Sequence, residues 1–498
     1  MRPPPFPKVL VANRGEIAVR VIRACHELGI RTVAVYSEAD RSALHVRNAG
    51  EAVLIGPAPS AESYLRGDVI IDAAQRTGAA AIHPGYGFLS ENAGFAQAVL
   101  DAGLVWVGPP PSAIDAMGSK TGARQRMIAA GVPVVPGTAE AIATEAEALA
   151  IALRFGFPVM LKAAAGGGGK GMRRVDRAED FGSAWRSARS EAAKSFKDDA
   201  VYLEKFVEDP KHVEIQVLAD AHGHTVHLFE RDCSVQRRNQ KVVEETPCPV
   251  LPDTTRQAMA KVAVQAAEAV GYVGAGTIEF LFSQATGEFY FLEMNTRLQV
   301  EHPITEMVTG IDLARAQLRI AAGEPLWFGQ ADLQQRGHAI EFRVYAEDPA
   351  NNFAPAPGRI NGLREPGGPW VRVDSGVYAG YEVPIHYDPM VAKLVVWGAD
   401  RDEAISRSIR ALREYRVRGI RTSIPFFTAL LRDEEFLGGR YSTGFLSPER
   451  LERLCAAAHH DDIATLAAAL AQYEKDLRPT RPAAAAAESA WKRAGRPA

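Results

Sequence analysis

The sequence predicts a mixed α/β (α+β) chain of several domains, and three stretches predict it. The first is a strand–helix–strand unit near the N-terminus. The second is a run of four glycines behind an apolar strand. The third is an aromatic hairpin that carries two glutamates. A length of 498 residues leaves room for roughly three domains.

The strand–helix–strand unit opens with KVLV at 8–11. A helix follows in which Ile17, Val21, Ile22 and Leu28 recur at helical spacing, and Gly29 ends it. TVAVY at 32–36 is the next strand, so a parallel sheet is expected. A nicotinamide site is not, because Gly15 stands alone without the GxGxxG fingerprint. After the strand at 80–82, HPGYGFLSEN at 83–92 sets glycines, a proline and Tyr86 at a strand's carboxyl end, where open α/β sheets bind ligands. A short strand at 105–108 and three prolines at 109–111 close this first region.

Lys120 precedes a helix at 121–130 and by itself reads equally as a solvated lysine. FPVMLK at 157–162 is a strand ending in Lys162, and AAAGGGGKGM follows it at 163–172. Consecutive glycines let backbone N–H groups close over an anion. The other reading is a flexible linker, but the loop is short and has a lysine at each end. GxxxxGK[ST] is not matched, so any nucleotide site is not a P-loop. VYLEKFV at 201–207 is another strand. HVEIQVL at 212–218 alternates, placing His212, Glu214 and Gln216 on one face, which reads most simply as a polar face turned outward. ERDCSVQRRNQK at 230–241 is dense in charge but mixed in sign, which suits a polyanion site better than a nucleic-acid surface.

GTIEFLF at 276–282 and FYFLEMN at 289–295 form the hairpin, joined by SQATG. Folding it sets Glu279 nearly opposite Glu293, with Asn295 and Arg297 on the same side as Glu293. Two carboxylates and an amide oxygen in an apolar sheet suit a hard divalent cation, Mg²⁺ or Mn²⁺. The alternative is a pair of edge-strand glutamates facing water. Helices are expected at 257–270, 309–322, 401–414 and 456–470. Alternation along the stretch at 337–349 places Glu341 and Arg343 on one face. Residues 478–498, with an alanine run and Arg-Pro pairs, read as a mobile tail.

Composition excludes several function classes. Hydrophobic residues at 47% and charged residues at 23% are ordinary for a soluble globular protein. A net charge of -3 gives no general affinity for nucleic acid or an anionic membrane. No apolar run nears the ~20 residues of a membrane span. MRPPPFPK lacks the apolar core of a signal peptide. Four cysteines, Cys25, Cys233, Cys248 and Cys455, form no CxxC pair. Reduced thiols in a cytoplasm are therefore expected, without a disulfide framework or zinc site.

Taken together, VANRGEIAVR, HPGYGFLSEN, GGGGKGM, HVEIQVL, ERDCSVQRR, QKVVEE, EFYFLEMNTRLQVEHPITE and YAEDP occur in the order seen in biotin carboxylases, which are ATP-grasp ligases. The resemblance runs from about residue 7 to 446. It implies a Rossmann-like N-terminal domain (1–117), an ATP-grasp domain (118–330) with a mobile glycine-rich lid at about 135–207, a β-rich C-terminal domain (331–450) and a tail (451–498). It implies that Lys120, Lys162, Gly168, Gly169, Glu204, Lys205, Phe206, Val207, His212, Asn239 and Glu279 contact ATP. It further implies that Glu279, Glu293 and Asn295 hold Mg²⁺ or Mn²⁺, and that Lys241, Arg297, Gln299 and Val300 surround bicarbonate. Glu301 would be the general base, and Arg343, with Tyr86, would meet biotin.

The chain departs from the family pattern in places. Asn239 stands where many acetyl-CoA carboxylase subunits have His, and with YSTGFL at 441–446 resembles propionyl-CoA-type enzymes. Ala165 and Lys170 replace a lid glycine and the usual Arg. No Met-Lys-Met biotin acceptor occurs. The resemblance therefore implies a cytoplasmic subunit that acts on a separate biotin carboxyl carrier protein beside a carboxyltransferase subunit, as a homodimer or within a larger complex. The first half-reaction of an acetyl-CoA or propionyl-CoA carboxylase is the leading expectation, and the same half-reaction for a two-subunit pyruvate carboxylase is the near alternative. Another ATP-grasp ligase and a non-catalytic ATP-binding scaffold are more distant alternatives; Arg343 and YAEDP count against the former, and the retained Glu279, Glu293, Arg297, Glu301 and Arg343 against the latter.

Overall fold

The computed structural model describes residues 3–138, 140–164, 171–196, 198–457 and 461–477, and within them not the side chains of 120, 121, 196, 457, 461–465 and 475–477. Gly168 and Gly169, with Ala165 and Lys170, lie outside the described residues, as do the Lys120 side chain and the tail at 478–498.

β1 (Lys8–Val11) is buried along its length and forms the middle of a parallel sheet. With β2 (Arg31–Ser37), β3 (Glu51–Gly56), β4 (Ala81–His83) and β5 (Val105–Trp106) the order is β3-β2-β1-β4-β5. The helix Gly15–Glu27 connects β1 to β2 and buries Ile17, Val21 and Ile22, as their spacing predicts. Since β1 has β2 on one flank and β4 on the other, the strand order reverses beside it and a crevice opens at the carboxyl ends. Asn13 pins that crevice, its amide donating to the main-chain oxygens of Pro84 at 2.6 Å and Tyr86 at 2.8 Å. Gly85 has φ +65°, and a Cβ there would meet the Asn13 amide nitrogen at 2.9 Å, so the close approach needs glycine.

A small antiparallel sheet sets β6 (Val159–Ala163) between β7 (Met172–Val175) and β8 (Val201–Lys205). A larger antiparallel sheet contains β9 (Lys211–Ala219), β10 (Thr225–Arg237), β11 (Gln240–Thr246), β12 (Gly274–Phe282), β13 (Phe289–Asn295) and β14 (His338–Tyr345). Its order is β13-β12-β9-β10-β11-β14, followed by the strands Met390–Gly398 and Val371–Ser375. Because β11 pairs with β14, with Glu244 opposite Glu341, hydrogen bonding carries straight into the C-terminal region. Leu218, Val226 and Leu313 pack with Val9, Ile17 and Val21, joining this sheet to the first one through a shared apolar core.

Two expectations can be compared with this sheet. The hairpin register is as read: Glu279 faces Glu293 and Thr277 faces Asn295. The outward polar face of β9 is not: His212, Glu214 and Gln216 are all buried. Arg231, opposite Glu214 on β10, makes this possible. It donates to Glu214 at 2.6 Å and to Gln216 at 2.7 Å, so the polar atoms are satisfied inside the sheet.

Glu245 on β11 ties the sheet to the C-terminal helices. It accepts from Arg401 at 2.7 and 3.0 Å, from His338 at 2.6 Å, and from Tyr441. Burial works against its charge, but Arg401 and His338 hold the carboxyl well below its ordinary value. A depressed value means stability that is full above about pH 4.5 and is lost as the pH falls further. Glu245→Ala removes the counter-charge of Arg401 and is expected to cost about 3 kcal/mol or more. A urea midpoint that drops at unchanged slope would show it; an unmoved midpoint would contradict it.

Candidate active site

The loop after β13 brings its residues back over the hairpin and ends in the helix His302–Thr309, whose N-cap is Glu301. A carboxylate at that position is favoured by the unpaired N–H groups of the first turn. Glu301 is fully buried. One oxygen accepts from Lys241 Nζ at 2.7 Å and the other from Arg343 Nη2 at 3.0 Å. Burial opposes its charge, yet Lys241, Arg343 and then Arg231 hold it well below the usual carboxylate range.

Lys241 is the hub. Its ammonium donates at 2.7 Å to each of Glu214, Glu279 and Glu301, which come from three different segments. Burial would discharge it, but those three carboxylates push its value well up. Glu279 also lies 2.9 Å from His212 Nε2 and accepts from Asn295 at 2.9 Å. Burial again opposes charge, and Lys241 and His212 pull Glu279 well below its ordinary value.

Arg343, on β14, spans Glu244 at 2.6 Å and Glu301. Burial, against the pull of Arg343, pushes the Glu244 carboxyl up to about 7. Arg297 is half-buried and reaches Glu91 at 2.8 Å, Asn295 at 3.1 Å and Gln299 at 3.4 Å. The Gln299 amide nitrogen has no hydrogen-bond partner among the described residues, and Val300 gives its carbonyl to Lys393 at 2.8 Å. Tyr86 donates its hydroxyl to Glu16.

The structure thus brings Lys241, Glu279, Asn295, Arg297, Gln299, Glu301, His212 and Arg343 into one connected network. Glu279 and its register partner Glu293 carry carboxylates and Asn295 an amide oxygen, ligand types that suit a hard cation such as Mg²⁺; here the Asn295 oxygen accepts from Arg297 at 3.1 Å. Lys162 and Glu204 form a separate buried pair at 2.5 Å, joined by Arg124 at 3.1 Å. Lys205 turns to the Gly156 carbonyl at 2.8 Å, and the Phe206 ring carries the Arg174 guanidinium at 4.3 Å. Val207 is half-buried. Asn239 sits exposed in the two-residue turn between β10 and β11, where it has φ +64° and Arg238 has φ +51°. That mirror-image turn favours asparagine, so a local backbone reason for Asn239 exists beside any ligand.

Sequence reasoning missed Glu91, Glu214, Arg231 and Glu244 as members. Glu91, Glu214 and Glu244 stand inside the recognised segments HPGYGFLSEN, HVEIQVL and QKVVEE, so their motifs were visible while their contacts were not. Beside them lies Glu341, buried, with neither oxygen hydrogen-bonded among the described residues. Burial, and then Glu244, push its value well up against the opposing pull of Lys393, which favours the protonated carboxyl. Glu341→Gln is expected to match the wild type within about 1 kcal/mol at about pH 4.5, where the raised value keeps the folded-state carboxyl protonated. A raised value means stability present below about pH 4.5 that is lost as the pH rises through the folded value. The glutamine variant lacks that loss and should become the more stable protein at alkaline pH. Thermal midpoints across pH check this, and parallel declines of the two proteins would sink it.

Known proteins resemble the chain by sequence and by structure. Residues 5–114 match the family model "Biotin carboxylase, N-terminal domain", 119–328 match "Carbamoyl-phosphate synthase L chain, ATP binding domain", and 341–448 match "Biotin carboxylase C-terminal domain". A biotin carboxylase of Nostoc sp. is 54% identical over 441 residues, 89% of this chain and 98% of that protein. One of the subunits of the pyruvate carboxylase of Methanothermobacter thermautotrophicus is 54% identical over 446 residues, 89% of this chain and 90% of that one. The biotin carboxylase domain dimer of Hydrogenobacter thermophilus 2-oxoglutarate carboxylase, solved with MgADP, ADP and bicarbonate, has a TM-score of 0.85 at 46% identity, covering 90% of this chain and 98% of that one.

Proposed function

The chain belongs to the biotin carboxylase family of ATP-dependent ligases, and we propose that it performs the first half-reaction of an acetyl-CoA or propionyl-CoA carboxylase. In that reaction ATP drives the carboxylation, by bicarbonate, of biotin borne on a separate carrier protein. The single observation that carries this reading is the buried, ionised Glu301 held between Lys241 and Arg343.

Glu301 is the general base. A carboxylate held this low is a weak base. An incoming bicarbonate competes for Lys241 and Arg343, loosens their hold on Glu301 and raises its proton affinity as the proton is taken. The carbonate formed attacks the γ-phosphorus of ATP, ADP leaves with the bond's electron pair, and carboxyphosphate results. It breaks down to CO₂ and phosphate; phosphate takes the ureido N–H proton of biotin, and that nitrogen attacks CO₂.

Lys241, Arg297, Gln299 and the Val300 main chain hold bicarbonate. Arg297 and Arg343 present forked donors that suit planar oxyanions, as lysine would not. Arg343 also steadies the enolate-like ureido anion, with Tyr86 beside the biotin. Lys120, Lys162, Gly168, Gly169, Glu204, Lys205, Phe206, Val207, His212, Asn239 and Glu279 form the nucleotide site. Glu279 and Glu293, with Asn295, would hold Mg²⁺, which would offset phosphate charge there. Exclusion of water by a closing loop protects carboxyphosphate from hydrolysis. A dimer, as in the Hydrogenobacter domain, and a carboxyltransferase partner complete the proposal.

Asn239 and YSTGFL support an acyl-CoA acceptor. The Methanothermobacter relative favours a second reading, the same half-reaction for a two-subunit pyruvate carboxylase. Loading a biotinylated carrier from labelled bicarbonate and offering it to carboxyltransferases with acetyl-CoA, propionyl-CoA or pyruvate separates them. Label in an acyl-CoA product supports the first reading, and label in the pyruvate product alone overturns it.

A further inference from the structure

The helix Asp461–Leu477 lies beyond the last matched family domain, which ends at residue 448. Its larger apolar residues are Ile463, Leu466, Leu470, Tyr473 and Leu477, spaced alternately by three and four. That is the a/d seam of a coiled coil across two heptads. Leu466, Leu470 and Tyr473 are 66%, 63% and 64% exposed, so the body of the protein does not cover them. A lone helix of this length is marginal in water, and an apolar stripe of this kind marks a contact surface.

The charges beside the seam choose the occupant. With Ile463, Leu470 and Leu477 at a, the flanking e and g positions hold Asp462, Ala467, Ala469, Glu474 and Asp476. None is basic, so two copies of this helix form no opposite-charge pair across the seam in either direction. A helix whose own seam is flanked by lysine or arginine would form them. We propose that Asp461–Leu477 is a docking helix that pairs with such a basic-flanked amphipathic helix on a different subunit. The proposal stands on the seam and its charges and does not depend on which acceptor the carboxyl group reaches.

The test uses the full-length protein at low salt and two synthetic three-heptad peptides with leucine at a and d, one with lysine and one with glutamate at e and g. Fluorescence anisotropy should give the lysine peptide at least about tenfold tighter binding, a gap of about 1.4 kcal/mol. Leu466→Asp with Leu470→Asp should weaken the lysine peptide by a similar factor and leave biotin-dependent ADP release unchanged. Glu474→Lys with Asp476→Lys should reverse the preference. Equal affinity for both peptides, or a seam variant that binds as the wild type does, would overturn the proposal. So would a wild-type assembly that the seam variant splits in sedimentation, because the occupant would then be a second copy.

Discussion

Glu301→Gln is expected to lower biotin-dependent ADP release by about 10²–10⁴-fold, the usual contribution of a positioned general base. Glutamine keeps the shape but offers one acceptor oxygen where Glu301 offers two, so the change removes the charge, the proton acceptor and one of the two bonds to Lys241 and Arg343. Lys241 retains Glu214 and Glu279 at 2.7 Å, which keeps the ammonium paired in the variant. ATP affinity, measured by equilibrium titration, should therefore stay near the wild-type value. Loss of both binding and turnover would mean that Glu301 is a structural anchor rather than the base.

Arg343→Ala is expected to lower biotin carboxylation by about 10²–10³-fold, the scale seen when one donor to a developing oxyanion is lost. The arginine is also a buried cation between Glu244 and Glu301, so its removal leaves two carboxylates facing one another. Stability could fall for that reason alone, and Arg343→Lys separates the two effects. Lysine keeps the charge but lacks the fork that reaches both partners. The lysine variant should fold and bind ATP while still losing most biotin carboxylation. A lysine variant with full activity would show that charge suffices and that the fork has no role.

Much of the fold could be read because it follows local periodicity. The helix Gly15–Glu27 announced its buried face through Ile17, Val21 and Ile22, and the 276–295 hairpin fixed the Glu279–Glu293 pairing through alternation. The site was harder, because its decisive partners are distant in sequence. Alternation along β9 reads Glu214 as part of a solvated strand face, whereas Arg231, opposite it and wholly inside the sheet, allows it to be buried. Glu244 lies on a strand about a hundred residues before the one that carries Glu341 and Arg343, and only the β11–β14 pairing makes it their neighbour. No pattern along one strand encodes that pairing. Asn239 shows the opposite lesson, since a residue read for its ligand also satisfies a left-handed turn.

In the proposed reaction one network of Lys241, Glu301 and Arg343 couples ATP cleavage to bicarbonate and biotin. ADP release by the full-length protein, with ATP and Mg²⁺ present and bicarbonate or free biotin omitted in turn, tests it most directly. Turnover is expected to require bicarbonate and to rise when biotin is added. ATP cleavage that ignores biotin would point to a different ligase acceptor, and ATP binding without any cleavage would contradict the catalytic assignment of all three residues.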